Sequence, residues 1–485
     1  MISIDFDDLI IDKNKPLQNQ IYENLLSRIM NGRLVAGAKL PSSRNMSESL
    51  NVSRITVTQA IEKLKKEGLL TSRAGQGVFV SKKIPTKTEI NKSCVKMKNN
   101  SNTIYSLPGL SIYGESINKV CLLKNGWPKS PPFSPGLPDL KEFPFKIWSK
   151  LLRQNLDRMP ASEYCDASGY LPLKKCLSNY LSNFRGVTCT PGQVIITNGA
   201  LEALNICIRV TLNQGDSVFM ENPGYRRAKY AFDSINADLH LIQLVNGHLN
   251  VDYLLKRKKS AKLLYTTPTN QYPMGGVIST KERLKLLGWA EQSNTWILED
   301  DYDSGFLFEN KPISALQGFK KNSPIVYTGS FSKTLMPRLR VGYLVVPEQV
   351  APAFINAKSQ LSGPNNLLGQ AVISDFIDEG HFARHIRRMR RNYQEKWAHF
   401  CSLLRENLEP NVKLISNGVS MHVILDIPEY DDVTLSEKLI YKGFGSTPLS
   451  AFYHGKEKKT GLVLGFANTS SQQREALVEY LKTLL

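Results

Sequence analysis

Six short apolar runs constrain this chain more than any other feature: Val194-Ile195-Ile196, Val218-Phe219-Met220, Leu263-Leu264-Tyr265, Trp296-Ile297-Leu298, Ile325-Val326-Tyr327 and Leu344-Val345-Val346. None of them alternates with polar residues. A strand that is apolar on both sides has to be covered on both, so the runs predict an α/β domain with a largely parallel sheet between amphipathic helices. In such sheets ligands collect at the carboxyl ends of the strands, and the residues that follow each run are where chemistry is expected.

With 485 residues there is room for more than one folding unit. Residues 8–83 read as a compact segment of short amphipathic helices. Residues 84–130 read as a basic flexible linker, in which Lys87, Lys92, Lys96 and Lys98 face one Glu89 and few apolar side chains are available for burial. Residues 131–485 carry the apolar runs. A hydrophobic content of 41% with 22% charged residues excludes global disorder. No run approaches the ~18 apolar residues that span a bilayer. Met1 to Asp12 holds four aspartates without a basic stretch before them and is not expected to act as a secretory signal. Seven cysteines, at 94, 121, 165, 176, 189, 207 and 401, form no CxxC pair, so reduced thiols of a cytoplasmic protein are expected rather than a zinc site or a disulfide framework. Basic residues outnumber acidic ones by 62 to 43, a net charge of +19. Such an excess fits an anionic partner, nucleic acid among them, or no more than a solvated surface.

In the first segment Ile21, Leu25 and Ile29 recur at every fourth residue and predict a helix with one buried stripe. Gly32 and Gly37 break the chain before Leu40-Pro41-Ser42-Ser43-Arg44, where a serine can cap a second helix carrying Met46 and Leu50. Ser53 can cap a third, with Val57, Ile61 and Leu64 inward and Arg54, Thr56, Thr58 and Gln59 outward. Such outward groups can reach base edges and phosphates in a major groove. Leu69 to Ser72 and Val78 to Val80 then flank Arg73-Ala74-Gly75-Gln76-Gly77, a hairpin with a glycine-rich tip. Three helices and a hairpin make a winged helix-turn-helix; a small helical domain with an ordinary polar face is the plainer alternative. Together, Pro16 to Tyr22, Gly32-Arg33-Leu34, Leu40 to Arg44, Val52 to Val57, Lys66 to Leu70 and Gly75 to Val80 resemble the GntR winged-helix family. The resemblance implies that Arg44, Arg54 and Thr56 lie on double-stranded DNA with Ser43, Ser53 and Thr58 beside them. It also brings the wing tip, Gly75 to Gly77, to the minor groove or backbone. Gln76 and Val78 depart from the small residues and Thr usual in that wing.

The strand ends of the long segment differ in chemistry. Thr328-Gly329-Ser330-Phe331-Ser332-Lys333 follows a buried run, and a lysine there suits a Schiff-base nucleophile whose partner carries a phosphate. Ser330, Ser332 and the forked cation of Arg340 can bind phosphate oxygens, although serine and lysine are common in loops and the segment does not decide the matter alone. Thr197-Asn198-Gly199-Ala200 turns from strand to helix through glycine and offers free amides for a phosphate. Glu299-Asp300-Asp301-Tyr302-Asp303 gathers acids that can hold a pyridine nitrogen protonated; a metal site or a solvated turn is the alternative, the metal disfavoured by the lack of nearby histidine. Asn270, in Thr267-Pro268-Thr269-Asn270-Gln271-Tyr272-Pro273, can donate to a phenolate oxygen. After Glu221-Asn222-Pro223-Gly224, Tyr225 can stack on a ring and Arg227 can reach a carboxylate.

These strings closely resemble the type I aminotransferases that use pyridoxal 5′-phosphate (PLP). Joined to a GntR head, and with EDDYDS, GSFSK and TPTNQYP, the chain resembles the MocR/GabR transcription regulators. The resemblance implies a central, mainly parallel sheet with a smaller C-terminal α+β subdomain, and a homodimer in the bacterial cytoplasm or nucleoid. It implies that Lys333 carries the Schiff base to PLP, with Asp300 on the pyridine nitrogen and Tyr225 stacked on the ring as its catalytic companions. Tyr302 and Asn270 would bond the ring oxygen, and Gly199, Ala200, Ser330, Ser332 and Arg340 would hold the phosphate. Arg227 would anchor an effector.

Two departures bear on the ligand. The regulators usually have His where Asn270 stands. Many aminotransferases carry a carboxylate-clamping Arg where Val463 stands in Gly461-Leu462-Val463-Leu464-Gly465-Phe466. Arg384 to Arg391 is a basic helix, either a contact for DNA or the head or a solvated face. The expected function is a PLP-binding regulator that senses an amine, an amino acid or PLP itself. The alternatives are a functional aminotransferase with an appended DNA anchor and a DNA-binding protein with an inert scaffold. Turnover is left open, the domain being expected to serve mainly in sensing with room for residual transaminase activity.

Overall fold

A computed structural model describes residues 12, 15–82, 109–111, 113–115, 131–158, 166–257, 259–306, 313–364, 366–410, 412–415, 418 and 420–485. The expected linker lies almost wholly outside them, as do residues 8–11 and Cys94, Cys121 and Cys165. The chain divides into two compact units, Met1–Gly109 and Leu110–Leu485.

In the first unit the stripe Ile21, Leu25, Ile29 is the buried face of α1 (Leu17–Met30). Ser42 Oγ accepts from the Asn45 amide at 3.1 Å and starts α2 (Ser43–Ser49). Ser53 Oγ accepts from the Thr56 amide at 3.2 Å and starts α3 (Arg54–Lys66). Each cap satisfies an amide that the helix itself cannot. Val57, Ala60, Ile61 and Leu64 of α3 join Met46, Leu50 and the α1 stripe in one core. Strands β1 (Leu70–Arg73) and β2 (Gly77–Val80) pair antiparallel from Leu70↔Val80 to Arg73↔Gly77. Gly75 and Gly77 turn the tip at φ +71° and +110°, where a side chain would be strained. Lys39 adds a bridge to Phe79.

The second unit is built on an eight-stranded sheet. Its strands are β3 (Val194–Thr197), β4 (Ser217–Asn222), β5 (Asp238–Val245), β6 (His248–Leu249), β7 (Leu263–Thr266), β8 (Trp296–Asp301), β9 (Ile325–Ser330) and β10 (Gly342–Val345), ordered β3-β10-β9-β8-β7-β4-β5-β6. The six apolar runs all lie in this sheet, and successive residues enter different cores. Ile195, Val218, Leu298 and Val326 pack on one side. Ile196 and Tyr327 enter a second core, and Phe219, Ile297 and Ile325 a third. Strands β4, β5, β7, β8 and β9 run parallel, whereas β10 lies antiparallel to both β9 and β3. It follows that β3 and β9 point the same way, and that the carboxyl ends of β3, β4, β7, β8 and β9 open on one edge. A smaller antiparallel sheet joins β11 (Lys413–Ile415), β12 (His422–Asp426), β13 (Thr447–Pro448) and β14 (Gly461–Gly465) in the order β11-β12-β14-β13. Among the described residues no helix is long and apolar enough to cross a membrane, and no cluster of His, Cys, Asp and Glu could hold a metal ion.

Candidate functional site

On the head the two capped helix starts come together. Arg54 Nε donates to Ser43 Oγ at 3.2 Å, and Arg44 pairs with Glu48 at 3.2 Å with both side chains largely in water. Ser53 and Thr56 hydroxyls lie 2.8 Å apart, and the Thr58 hydroxyl donates to the Arg54 carbonyl at 2.8 Å. Ser53 and Thr58 are therefore engaged with their own helix. Arg54, Thr58 and Gln59 share a shallow concavity with Ile55, whose 70% exposure is unusual for so apolar a side chain. A second concavity runs from Ser42 and Ser43 past Thr58 and Lys65 to Gly75 and Gly77. Helix starts, outer α3 face and wing tip thus form a mixed surface, in which exposed Arg54 and the Ser, Thr and Gln groups stand beside the apolar Ile55 and the acidic Glu62; its cations and hydroxyls are groups that phosphates and base edges accept. Ile55 and Lys65 were missed in the sequence because helix periodicity assigns a face and not its depth, and Lys39 because a β-bridge across the wing places it.

In the large unit the strand ends converge. Gly199 adopts φ +84° as the N-cap of helix Ala200–Thr211, with no side chain on the cap. A Cβ there would sit 3.4 Å from the guanidinium carbon of Arg340. Arg340 takes φ +51° and donates to the Asn198 carbonyl at 3.0 Å. Gly342 opposes both Ser330 and Thr197 across the sheet, and a Cβ on it would meet Gly199 at 2.9 Å. Gly199, Ser330 and Arg340 are brought together around a helix start that has open amides and a cation, and such a place suits an anion.

The acids of β8 separate by face. Glu299 is capped by the Leu316 and Gln317 amides at 2.7 and 2.9 Å. Asp301 takes Arg185 Nε at 2.8 Å and the Tyr327 hydroxyl at 2.5 Å. Asp300, between them, points to the other side. One of its oxygens accepts from Tyr265 Oη at 2.6 Å, and the other is buried without a hydrogen-bond partner. Removal from water pushes its carboxyl up to about 6. An unpaired carboxylate oxygen in such a place calls for an N–H or O–H from outside the chain.

Lys333 follows β9, and its Nζ donates to the Gly136 carbonyl at 2.6 Å. Gly136 has φ +72°, a conformation that favours glycine, and a Cβ on it would displace the tip of the Lys333 side chain. Burial pulls the amine below the usual lysine range, with Asp303 and Asp300 pulling back and Arg227 pushing further down. Asn270 Nδ2 donates to Asp303 at 2.5 Å, and its Oδ1 accepts from Ser420 Oγ at 2.9 Å. The Tyr302 hydroxyl is buried and lacks a partner in hydrogen-bonding position. Tyr225, half-buried, meets Tyr272 edge-on at 6.2 Å, and Tyr272 meets Tyr302 at 5.3 Å. Burial pushes the Tyr225 hydroxyl up to about 12, and exposed Arg227 is close enough for its charge to offset part of that rise and to add to the lowering of the Lys333 amine by burial. Ser332 and Ala200 lie half-buried at the same edge.

Gly136, Tyr265, Asp303 and Ser420 bond residues of this site and were missed. Strand alternation separates Asp300 from Glu299 and Asp301, but Asp303 lies beyond the end of β8 and is placed by its pairing with Asn270; Gly136 and Ser420 come from distant sequence and carry no local signal. Val463 is fully buried with Ile424, Leu449 and Phe452, and Tyr272 packs on that cluster, so this side of the site is apolar. The arginines of helix His381–Leu408 are in part structural: Arg390 donates to the Gly305 carbonyl at 3.0 Å and Arg388 to the Glu142 carbonyl.

Residues 136–481 match the family of class I and II aminotransferases, and residues 17–80 match the gntR family of bacterial regulatory proteins. The probable rhizopine catabolism regulatory protein MocR of Rhizobium meliloti is 34% identical over 95% of this chain and 92% of its own length. The pyridoxine biosynthesis transcriptional regulator PdxR of Corynebacterium glutamicum is 26% identical over 93% of this chain and 92% of its own. The kynurenine aminotransferase of Pyrococcus horikoshii shares the fold with a TM-score of 0.68 at 24% identity, covering 81% of this chain and 95% of its own.

Proposed function

We propose that the large unit of this chain, which belongs to the aminotransferase class I and II family in the MocR-type branch that carries a gntR head, binds PLP at Lys333 to sense an amine, an amino acid or PLP itself. The chain is a DNA-binding transcription regulator. The observation that carries the cofactor reading is the unpaired oxygen of Asp300, held at the same sheet edge as Lys333 and the Gly199–Arg340 seat.

The residues fit PLP group by group. Asp300 would accept a pyridine N–H on its unpaired oxygen while Tyr265 fixes the other. Tyr302, whose hydroxyl lacks a partner, would donate to the ring oxygen, with Asn270 held beside it by Asp303 and Ser420. The Gly199 and Ala200 amides, Ser330, Ser332 and Arg340 would take the phosphate, and Tyr225 would cover the ring. When bound, PLP supplies an aldehyde that reacts reversibly with amines and a pyridinium that withdraws electrons from the product. Lys333 presents the amine, and its burial keeps part of that amine unprotonated and nucleophilic.

Val463 supplies no cation at the place where many aminotransferases clamp a carboxylate, so a carboxylate on the effector would rest on Arg227, which favours sensing over turnover of α-amino acids. An amine effector and PLP itself both suit the site; the relative named for pyridoxine biosynthesis supports the second. The protein is proposed to work as a cytoplasmic homodimer, its effector biasing two arrangements of the heads through different affinity for each. The test is hydride trapping: protein is incubated with PLP, reduced with borohydride and digested. A pyridoxyl mass on the Lys333 peptide is expected; its absence in excess cofactor overturns the assignment.

A further inference from the structure

Glu202 lies at the third position of helix Ala200–Thr211, one turn from the proposed phosphate seat, where a carboxylate should repel the ligand. In a capping box a Glu at this position bonds the N-cap amide. Here the N-cap is Gly199, and Glu202 reaches one residue further back: Oε2 accepts from the Asn198 amide at 2.5 Å and Oε1 from Asn198 Nδ2 at 3.2 Å. The Gly199 amide is thereby spared. On the far side Ser362 Oγ donates to Glu202 Oε1 at 2.5 Å. Lys358 Nζ stands 3.6 Å from Oε2, with its side chain 0% exposed and the Glu202 side chain 13% exposed. Lys358 is fixed in turn by Ser362 Oγ at 2.7 Å and the Gly363 carbonyl at 2.5 Å. The Asn198 carbonyl, oriented by these bonds, holds Arg340.

We propose that Lys358 and Glu202 are positioning residues for the cofactor's phosphate. Glu202 holds Asn198 so that Arg340 and the open amides of the helix start face the same space. Lys358, on helix Ala351–Leu361, neutralises the carboxylate that does this. A fully buried lysine is costly to keep unless its charge is used, and here the use is electrostatic. The inference rests on the PLP reading above and extends it to two residues that touch no ligand.

The phosphate provides the test, because pyridoxal has the same ring and aldehyde without it. Full-length protein is titrated with PLP and with pyridoxal, and the ratio of the two dissociation constants is read. In Lys358→Met the unneutralised carboxylate should weaken PLP about tenfold (~1.4 kcal/mol) while pyridoxal is unaffected. Glu202→Gln keeps an acceptor for the Asn198 amide and should move the ratio the other way, toward PLP. The double variant should return near the wild-type ratio. Equal weakening of both compounds in Lys358→Met, or a ratio that neither single variant moves, overturns the inference; where Lys358→Met does not fold, the direction of Glu202→Gln decides. Wild type that binds neither compound sinks the cofactor reading itself, and this inference with it.

Discussion

Arg54 of the head and Asp300 of the large unit are both charged, and they are kept in opposite conditions. Arg54 stands in water and rests on the Ser43 hydroxyl. Asp300 is 8% exposed, its neighbours Asp303 and Asn270 3% each, and one of its oxygens is unpaired. The difference matches the partners, DNA for the head and, as proposed, PLP for the large unit. DNA offers a dense row of phosphates whose counterions are released on binding, so exposed cations on a firmly capped helix are enough. A single flat ring would offer few charges, and groups that recognise it must already be stripped of water to bind it strongly. The head therefore carries its function at small cost to folding, while the large unit stores unfavourable burial until a ligand relieves it.

Removing the buried charge should break this comparison with the largest effect. Asp300→Asn is expected to weaken PLP by about 100-fold (~3 kcal/mol) and leave affinity for its own upstream DNA unchanged. Without PLP the same change should stabilise the large unit. The carboxyl has a folded pKa of about 6 against an ordinary 3.8, so its contribution to stability is present below pH ~4 and lost as pH rises through about 6. Denaturant unfolding should show a gain of up to ~3 kcal/mol at pH 8 that vanishes near pH 4. A gain equal at both pH values would contradict the stored-burial account.

Removing the open charge should have a smaller and different effect. Arg54→Ala is expected to weaken the upstream DNA about 10- to 100-fold, and to lower the slope against salt by about one where the arginine meets a phosphate. PLP binding should not change. Loss of the covalent adduct in this variant would show that Arg54 supports the fold instead. The smallest effect belongs to the frame beneath it. Ser53→Ala removes the α3 cap and should cost the head about 1 kcal/mol in thermal unfolding, with Arg54 still able to bind; an unchanged melting curve would show that the cap contributes nothing.

The same contrast decides what could be read from the chain. The strands were legible because burial on both faces leaves a run with no polar interruption, as in Val218-Phe219-Met220. β5 was not, because its residues at the sheet margin are mixed in exposure and form no such run. The head helices were legible from stripes and caps, where the signal is local. Lys333, Asp300 and Gly199 stand at strand ends that the sheet topology gathers on one edge, and a residue that follows an apolar run carries that position in the sequence. Asp303 and Asp301 look alike in sequence; their pairing with Asn270 and with Arg185 depends on which face each takes and on residues 33 and 116 positions away. Gly136 meets the Lys333 amine through its carbonyl, a contact across 197 positions. Long-range polar pairing of this kind has no period along the chain.

In the proposed function, chemistry at Lys333 governs how the head holds DNA. This dependence is tested most directly by measuring affinity for the upstream DNA with and without PLP and a panel of amines, in wild type and in Lys333→Ala. The account predicts a ligand-dependent change of at least about fivefold in wild type, and a variant that binds the DNA and does not respond. The same response in both proteins would contradict it.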